Sequence, residues 1–224
     1  MKKLPRLNRF TSLPVLLDML SKRCVTLLNP RSWEDRNDSF YIEQYRAKKK
    51  LESVLALCFT TTPEKFHHWK IFSDGSSGVR VEFDKNLLLK AFSKIAGLRC
   101  GYVHYKLIKQ LKSDMPNVMD WPFLKRKPFS DEVEYRIIFQ SKTEARETME
   151  IPFDLPFIRR ITLSPWLAKP VSESVKHVIK SIDGCQQLKV SRSTLIENSA
   201  WRAAIMMRSC ALLPESPRQL EAGW

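Results

Sequence analysis

Residues 132–139, EVEYRIIF, carry two carboxylates and an arginine at every second position of a segment patterned like a β-strand. Successive side chains of a strand point to opposite faces, so Glu132, Glu134 and Arg136 are predicted to share one face. Such a row of charge is typical either of the floor of a site that stabilises a cation or of a solvent-exposed strand. As a separate alternative, Arg136 could be only a structural partner of Glu134 rather than a substrate contact.

Two other segments carry residues that would complete a site. NRFT at 8–11 puts Arg9 and Thr11 on a short strand, and LCFTT at 57–61 ends a buried strand in hydroxyls that include Thr60. Arginine offers a planar fork to a pyrophosphate, and a hydroxyl can fix a ribose or an amide. A glutamate stabilises oxocarbenium character at a ribose. Together these groups are what breaking the nicotinamide–ribose bond of NAD requires.

The elements that must position these residues form an irregular mixture of helices and strands. Patterning predicts helices at 12–23, 43–52, 85–97, 105–113 and 171–182. It predicts strands at 24–30, 53–63, 79–83, 132–139, 149–153, 159–165 and 187–193, and a polar loop at 32–40. Because βαβ alternation is not regular, we expect an α+β fold. The absence of repeats and linkers predicts one domain over 1–212, followed by a flexible tail at 213–224.

The charge balance is the strongest compositional signal. The 224-residue chain has a net charge of +14, and its first fifty residues hold 12 Lys/Arg against 5 Asp/Glu. A polyanionic partner, most simply nucleic acid, fits that excess, although a basic surface with no ligand or an acidic protein partner also explains it. The residues predicted to contact nucleic acid are Arg46, Lys48, Lys49, Lys50, Lys125, Arg126 and Lys127.

Other features bound the compartment and the chemistry. No window approaches the roughly 18 apolar residues of a transmembrane helix, and no apolar segment of a signal peptide follows the basic start of the chain. The five cysteines form no CxxC pair, and the four histidines have no HExxH spacing. We therefore expect a cytoplasmic protein in a reducing compartment, without membrane association and without a metal site.

An ordered series of motifs resembles a known family. NRFT, LLDML, VTLLNPRSWEDRNDSF, LALCFT, HHWKIFSDGSSGVRVEFD, KPFSDEVEYRIIF and ITLSP occur in this order over residues 8–165. The series resembles the bacterial domain-of-unknown-function 2971 family and covers about two-thirds of the chain. The chain departs from that family at Ser39, where a proline is usual, and at Phe72, where a tyrosine is frequent.

The order of an arginine, a hydroxyl and a Glu-x-Glu pair is also similar to the R-S-E pattern of ADP-ribosyltransferases. That resemblance implies a split, twisted sheet, mixed or antiparallel, with surrounding helices, and NAD as the substrate. It makes Glu134 catalytic, with Glu132 positioning or deprotonating the acceptor. It maps the arginine to Arg9 and the hydroxyl to Thr60. The full set of residues that we expect to bind NAD is Arg9, Thr11, Asn37, Asp38, Thr60, Trp69 and Arg136.

Several alternatives stay open on the sequence alone. Trp69 could stack on nicotinamide or belong to the core, and Asn37 and Asp38 could form only an Asx turn. With a nucleic-acid acceptor, the family analogy suggests a toxin or phage-defence effector with an antitoxin or inhibitor partner. The second function is a non-catalytic nucleic-acid-binding or regulatory module, in which Glu134 lies on an open sheet face. The third is a metal-dependent nuclease, whose carboxylates, Asp35 and Asp38 among them, converge around an ion.

Overall fold

The computed structural model describes residues 5–211, which divide into two units at Ser193. The strands are β1 (Arg6–Ser12), β2 (Cys24–Leu28), β3 (Ser53–Thr60), β4 (Gly78–Asp84), β5 (Leu98–Tyr102), β6 (His104–Lys106), β7 (Leu124–Arg126), β8 (Glu134–Ser141), β9 (Thr148–Pro152), β10 (Ile158–Leu163) and β11 (Val190–Arg192). The helices are α1 (Leu13–Lys22), α2 (Arg36–Lys49), α3 (Phe66–Phe72), α4 (Lys85–Phe92), α5 (Ile108–Ser113), α6 (Lys169–Ser181) and α7 (Ser199–Ala211). The expected α+β class is confirmed.

Nine strands within the described residues form one mixed sheet. Its continuous order is β11-β10-β4-β1-β3-β2-β9, and β8 and β5 extend from β3. The pairing of β10 with β11 is parallel, while the other pairings in this sheet are antiparallel. A separate parallel pair, β6 with β7, places Tyr105 opposite Lys125.

The sheet is split at β3. One edge of β3 pairs along its whole length with β8. The other edge pairs with β1 only at Thr60, opposite Asn8, and with β2 only at Ala56, opposite Leu28. The stretch between those two points, residues 57–59, has no strand partner on that edge. An opening in the sheet therefore exposes the backbone and side chains of the middle of β3.

The alternation along β3 and β8 separates two hydrophobic clusters. The larger cluster lies where α1, α4 and α6 cover the sheet, and it includes Leu55 and Ile137. The smaller cluster contains Ile138 and receives Ile42 and Tyr45 from α2. Because side chains two apart share a face, Glu134 and Arg136 lie on the side of β8 that faces α2.

The structure corrects the expected loop at 32–40. Helix α2 begins at Arg36, because Asp35 accepts hydrogen bonds from the backbone amides of Asn37 and Asp38 and so caps the helix. The short basic helix expected at 43–52 is the second half of α2. Early helix formation places Asp38 in the first turn of α2, where its carboxylate faces β8.

The second unit has helix α7 as its regular element, with Thr194 and Asn198 hydrogen-bonded before it. The domain boundary expected at residue 212 stays a prediction, and the expected flexible tail at 213–224 lies outside the described residues. None of the helices within 5–211 has the length and apolarity that a bilayer span needs.

Candidate active site

A cavity of about 500 Å³ lies at the opening beside β3. Its volume is in the range of about 300–1,000 Å³ that is typical of small-molecule sites. The residues around it come from β1, the end of β2, β3, the start of α2, α3, β7 and β8: Asn8, Arg9, Phe10, Leu28, Trp33, Glu34, Asp35, Asp38, Ala56, Leu57, Cys58, Phe59, Thr60, Ile71, Phe72, Lys125, Phe129, Glu132, Glu134 and Arg136.

Arg136 lies at the base of this cavity and is fully buried. Its Nε and Nη2 donate to the two carboxylate oxygens of Glu134, at 2.7 and 3.0 Å. Nη1 and Nη2 donate to Asp38 at 2.8 and 2.6 Å, and Nη1 also donates to the carbonyl of Pro122 at 2.8 Å. A guanidinium has five N–H groups, and all five are used here. Arg136 therefore has no donor left for a substrate, and it acts by positioning Glu134 and Asp38.

Glu134 is held in its charged form. Burial opposes the charge, but Arg136 and Lys125 outweigh burial and lower the pKa of Glu134 to about 2. The backbone amide of Glu134 donates to the hydroxyl of Tyr105 at 2.9 Å, which fixes the start of β8. Each carboxylate oxygen keeps a lone pair beside its bond to Arg136, so a ligand hydroxyl can still donate to Glu134.

Glu132 reaches the same cavity by a turn rather than by strand alternation. The expected strand over 132–139 is wrong at its start, because Lys127–Glu132 forms a 3-10 helix and β8 begins at Glu134. Between the two glutamates Val133 is left-handed, with φ 43° and ψ 54°, which is rare for a β-branched residue. Thr60 holds this turn, because its hydroxyl donates to the carbonyl of Glu132 at 2.6 Å.

Lys125 connects the carboxylates of the cavity. Its Nζ lies 2.7 Å from Glu132, 3.5 Å from Glu134 and 3.8 Å from Asp38. Burial raises the pKa of Glu132 to about 7, although Lys125 opposes that rise. Three carboxylates thus face two cations, Lys125 and Arg136, and one negative charge is left over when all are ionised.

A further cation, Arg9, and two buried acceptor oxygens lie elsewhere in the cavity. Arg9 donates from Nη1 to the carbonyl of Cys58 at 3.1 Å, which satisfies an oxygen in the unpaired stretch of β3. Arg9 is part-buried, and burial lowers its pKa. Oδ1 of Asn8 and Oδ2 of Asp35 are buried, with no hydrogen-bond partner among the described residues. A ligand with an anionic group and several donors fits these unmet requirements.

The structure brings most of the expected site residues together. Of those expected from the sequence, the residues that line the cavity are Arg9, Asp38, Thr60, Glu132, Glu134 and Arg136. Three others lie outside it. Thr11 is half-buried opposite Val79 in the sheet, and Asn37 is exposed on α2. Trp69 is fully buried, packs edge-on against Phe10 and donates to Glu64, so it is placed as a core residue.

The basic residues expected to contact nucleic acid divide into paired and exposed ones. The expectation for Lys125 is corrected, because its side chain is only 9% exposed and is paired with cavity carboxylates. Arg46 is held by Glu43 and by the carbonyl of Leu51. The other members of the set are exposed or half-exposed: Lys48, Lys49, Lys50, Arg126 and Lys127.

Sequence reasoning missed Asn8 and Tyr105, and it named Asp35 only as a carboxylate of the nuclease alternative. Asn8 is next to Arg9, on the strand that the NRFT motif already singled out. The unpartnered oxygen of Asp35 depends on the fold. Tyr105 lies 29 residues before Glu134 and meets it only through the β6–β7 pair, so no local pattern identifies it.

The carboxylates are arranged for cations on side chains rather than for a metal ion. Within 5–211 no group of three histidine, cysteine or acidic residues has the geometry of a metal site. All four carboxylate oxygens of Asp38 and Glu134 accept from Arg136. This arrangement counts against the metal-dependent nuclease. Burial of Glu134 in a cavity counts against the non-catalytic module with an open sheet face.

Comparisons with known proteins give structural similarity without sequence similarity. No protein-family model matches the chain, and no curated protein matches its sequence significantly. The resemblance to the domain-of-unknown-function 2971 family therefore stays a prediction.

Similar solved structures are those of DarT from Thermus sp. 2.9. The complex with carba-NAD+ is 10% identical, with a TM-score of 0.45 over 86% of this chain and 97% of that chain. The complex with ADP-ribosylated ssDNA is 12% identical, with a TM-score of 0.44 over 86% and 98%. The complex with NAD+ is 11% identical, with a TM-score of 0.45 over 85% and 96%.

Replacement of Arg136 by methionine should destabilise the fold strongly. The variant leaves Glu134 and Asp38 buried without their partner, a loss of about 3–5 kcal/mol in the free energy of unfolding. In the wild type, the stabilisation that ionised Glu134 gives the fold is complete above the ordinary pKa of a glutamate. It is lost as pH falls toward 2, because the pKa of Glu134 is lowered in the folded protein. In the variant the unpaired carboxyls gain protons on folding, so acidification should recover stability. Urea unfolding between pH 4 and 8 measures the loss in the free energy of unfolding and its recovery on acidification.

Arg99→Met is the matched control. Arg99 donates to the hydroxyl of Tyr45 and the carbonyl of Met119, and its hydrogen bonds include none to a carboxylate. The free energy of unfolding should fall less in Arg99→Met than in Arg136→Met, and this smaller loss should not depend on pH. Equal losses with equal pH dependence in the two variants would contradict the role given to Arg136.

Proposed function

We propose that this chain is an ADP-ribosyltransferase that uses NAD as its substrate. The observation that carries the proposal is the separation of charge in one cavity. Arg9 supplies a part-buried cation, and the cluster around Glu134 has one surplus negative charge when Glu132 is ionised. NAD presents the complementary pattern, an anionic pyrophosphate and a cationic nicotinamide ring.

Arg9 is the group that would bind the pyrophosphate. Within residues 5–211 it makes a single hydrogen bond, to the carbonyl of Cys58, and the rest of its fork can serve a second acceptor. The orphaned oxygens of Asn8 and Asp35 would accept from the amide or ribose hydroxyls of the substrate. Thr60 takes a different role from the one inferred from the sequence, since its hydroxyl proton is committed to the carbonyl of Glu132.

Glu134 would stabilise the transition state. The bond between ribose C1′ and nicotinamide breaks, and its electron pair leaves with the nicotinamide, which becomes neutral. Positive charge moves to the ribose, where a carboxylate that is already ionised and held by Arg136 is worth most. Preorganisation by Arg136 means that Glu134 needs little rearrangement when the charge develops.

Glu132 would accept the proton of the acceptor. The acceptor nucleophile gives an electron pair to C1′, a new bond forms, and the released proton passes to the carboxylate of Glu132. A base with a pKa of about 7 is suited to this step near neutral pH. Cys58 is not a competing nucleophile, because burial and Glu134 raise the pKa of its thiol.

The acceptor we propose is a nucleic acid, with single-stranded DNA or RNA favoured because its bases are accessible. The net charge of +14 supports an anionic acceptor. Lys48 is ten residues along α2 from Asp38, about 15 Å from the cavity wall. At about 3.4 Å per nucleotide of a stacked strand, about four or five nucleotides cover that distance. Cytoplasmic action as a toxin or phage-defence effector, with an antitoxin or inhibitor partner, completes the proposal.

The direct test is to incubate the protein with NAD carrying a labelled phosphate, in separate pools of single-stranded DNA, RNA and protein. We expect label in a nucleic-acid pool and release of nicotinamide. Label confined to the protein pool would retain the transferase and overturn the acceptor. NAD left intact in every pool would contradict the proposed function.

Glu134→Gln should preserve folding and NAD affinity but lower NAD turnover by at least about 10²-fold, because one key electrostatic group is lost. Glu132→Gln should reduce transfer to the acceptor more than NAD hydrolysis. Glu150→Gln, at an exposed ion pair with Lys22, is the matched control. Nicotinamide release measures turnover, and an unchanged rate in Glu134→Gln would remove Glu134 from the catalytic role.

Arg9→Ala should weaken NAD binding by about 1.5–3 kcal/mol, the usual value of a charge-assisted hydrogen bond. Arg9→Lys should also weaken it, because a lysine cannot form the bidentate contact. Arg146→Ala, at an exposed pair with Glu144, serves as the control. Calorimetry with the inactive Glu134→Gln background measures these affinities. Wild-type affinity in Arg9→Ala would exclude Arg9 from the pyrophosphate site.

Reversal of Lys48, Lys49 and Lys50 to glutamate should weaken binding of a single-stranded oligonucleotide. The slope of log affinity against log salt should flatten by up to about two units, since each lysine releases counterions from one phosphate. Reversal of Lys109, Lys112 and Lys142 gives an equal charge change at other exposed positions. If both triple variants behave alike at every salt concentration, the effect is only one of net charge.

A further inference from the structure

The small β6–β7 sheet holds both ends of the turn that carries the two glutamates. Tyr105 and Lys125 are opposite each other in its register. The hydroxyl of Tyr105 accepts from the backbone amide of Glu134, while Lys125 donates to the carboxylate of Glu132 at 2.7 Å. Two neighbouring side chains of one element thus fix the backbone at one end of the turn and the side chain at the other.

The two glutamates are held in different ways. Both oxygens of Glu134 accept from Arg136. In Glu132 only Oε2 has a hydrogen bond, from Lys125, and Oε1 has no partner among the described residues. Glu132 therefore offers one fixed and one free oxygen at the cavity, which is the arrangement a proton acceptor requires.

Lys125 is itself confined by charge. Three carboxylates surround its ammonium within 3.8 Å, and its side chain is 9% exposed. The charged and titratable groups that face Glu132 are Lys125 from β7, Glu134 and Arg136 from β8, and Tyr105 from β6. Lys125 is the cation that touches Glu132 directly, so Glu132 is the carboxylate most dependent on it.

We propose that Lys125 is a positioning residue that orients Glu132 and sets its protonation, so that the free oxygen of Glu132 accepts the acceptor's proton. This role rests on the proposed function. Lys125 is not the base itself, because Glu134 and Glu132 outweigh its burial and raise its pKa, and the ammonium keeps its protons. Contact with a nucleic-acid phosphate would require Lys125 to leave three carboxylates, which the structure disfavours.

The test compares Lys125→Gln and Lys125→Arg with Lys109→Gln, an exposed lysine of α5. Removing an opposite charge at this distance should raise the pKa of Glu132 by about one unit or more. The midpoint of transfer against pH should move upward by that amount in Lys125→Gln, with about fivefold less transfer at pH 7 because the ionised fraction of Glu132 falls from about one half to about one tenth. NAD hydrolysis should fall less than transfer. Lys125→Arg should restore the wild-type midpoint.

A second measurement does not depend on activity. The pKa of Glu132 in the folded protein lies above its ordinary value. Ionisation of Glu132 therefore lowers the free energy of unfolding as pH rises from the ordinary pKa to the folded pKa of about 7. Glu132→Gln should remove this slope, and Lys125→Gln should extend it to higher pH. Urea unfolding between pH 5 and 9 in the two single variants and the double variant gives the coupling.

The outcomes separate the two proposals. An inactive wild type with the predicted coupling would contradict the transferase and retain the contact between Lys125 and Glu132. An active wild type whose transfer midpoint, transfer-to-hydrolysis ratio and unfolding slope are unchanged in Lys125→Gln would overturn the role of Lys125. A loss of transfer in Lys125→Gln that Lys125→Arg does not restore, with an unchanged pH midpoint, would also overturn it.

Discussion

The rest of the site depends on one buried guanidinium. Arg136 binds Glu134 on its own strand, Asp38 at the start of α2 and the carbonyl of Pro122. The centroid of the Trp33 ring lies 4.9 Å from its guanidinium carbon. A buried ion of this kind is tolerated only when every donor has a partner. The requirement fixes three segments that are distant in sequence, and it holds Glu134 charged in a cavity that burial alone would make neutral.

A second constraint is the opening in the sheet. Because β1 pairs with β3 only at Thr60 and β2 pairs with it only at Ala56, residues 57–59 face the cavity with free backbone groups. Arg9 satisfies one of them at Cys58, and this places a cation at the cavity that the acidic cluster also lines. The left-handed Val133 then brings Glu132 beside Glu134. The interrupted pairing of β3 therefore explains both the opening in the sheet and the position of the Arg9 cation.

The sequence predicted the elements better than the contacts between them. Alternation along 134–139 identified β8 and the shared face of Glu134 and Arg136, since period-two patterning is a local property. It could not identify the turn at Val133, because nothing in a valine favours φ above zero. Lys125 was assigned to nucleic acid from charge alone, whereas its three carboxylate partners come from α2, β8 and the turn before β8. Long-range ion pairing is decided by the fold.

We propose that this cavity binds NAD with its nicotinamide ribose beside Glu134, and a crystal structure of the Glu134→Gln variant with NAD tests this placement. We expect the pyrophosphate within hydrogen-bond distance of Arg9, the nicotinamide ribose against residue 134, and Arg136 still bound to Asp38. NAD bound elsewhere, or bound with its nicotinamide ribose away from residue 134, would contradict it.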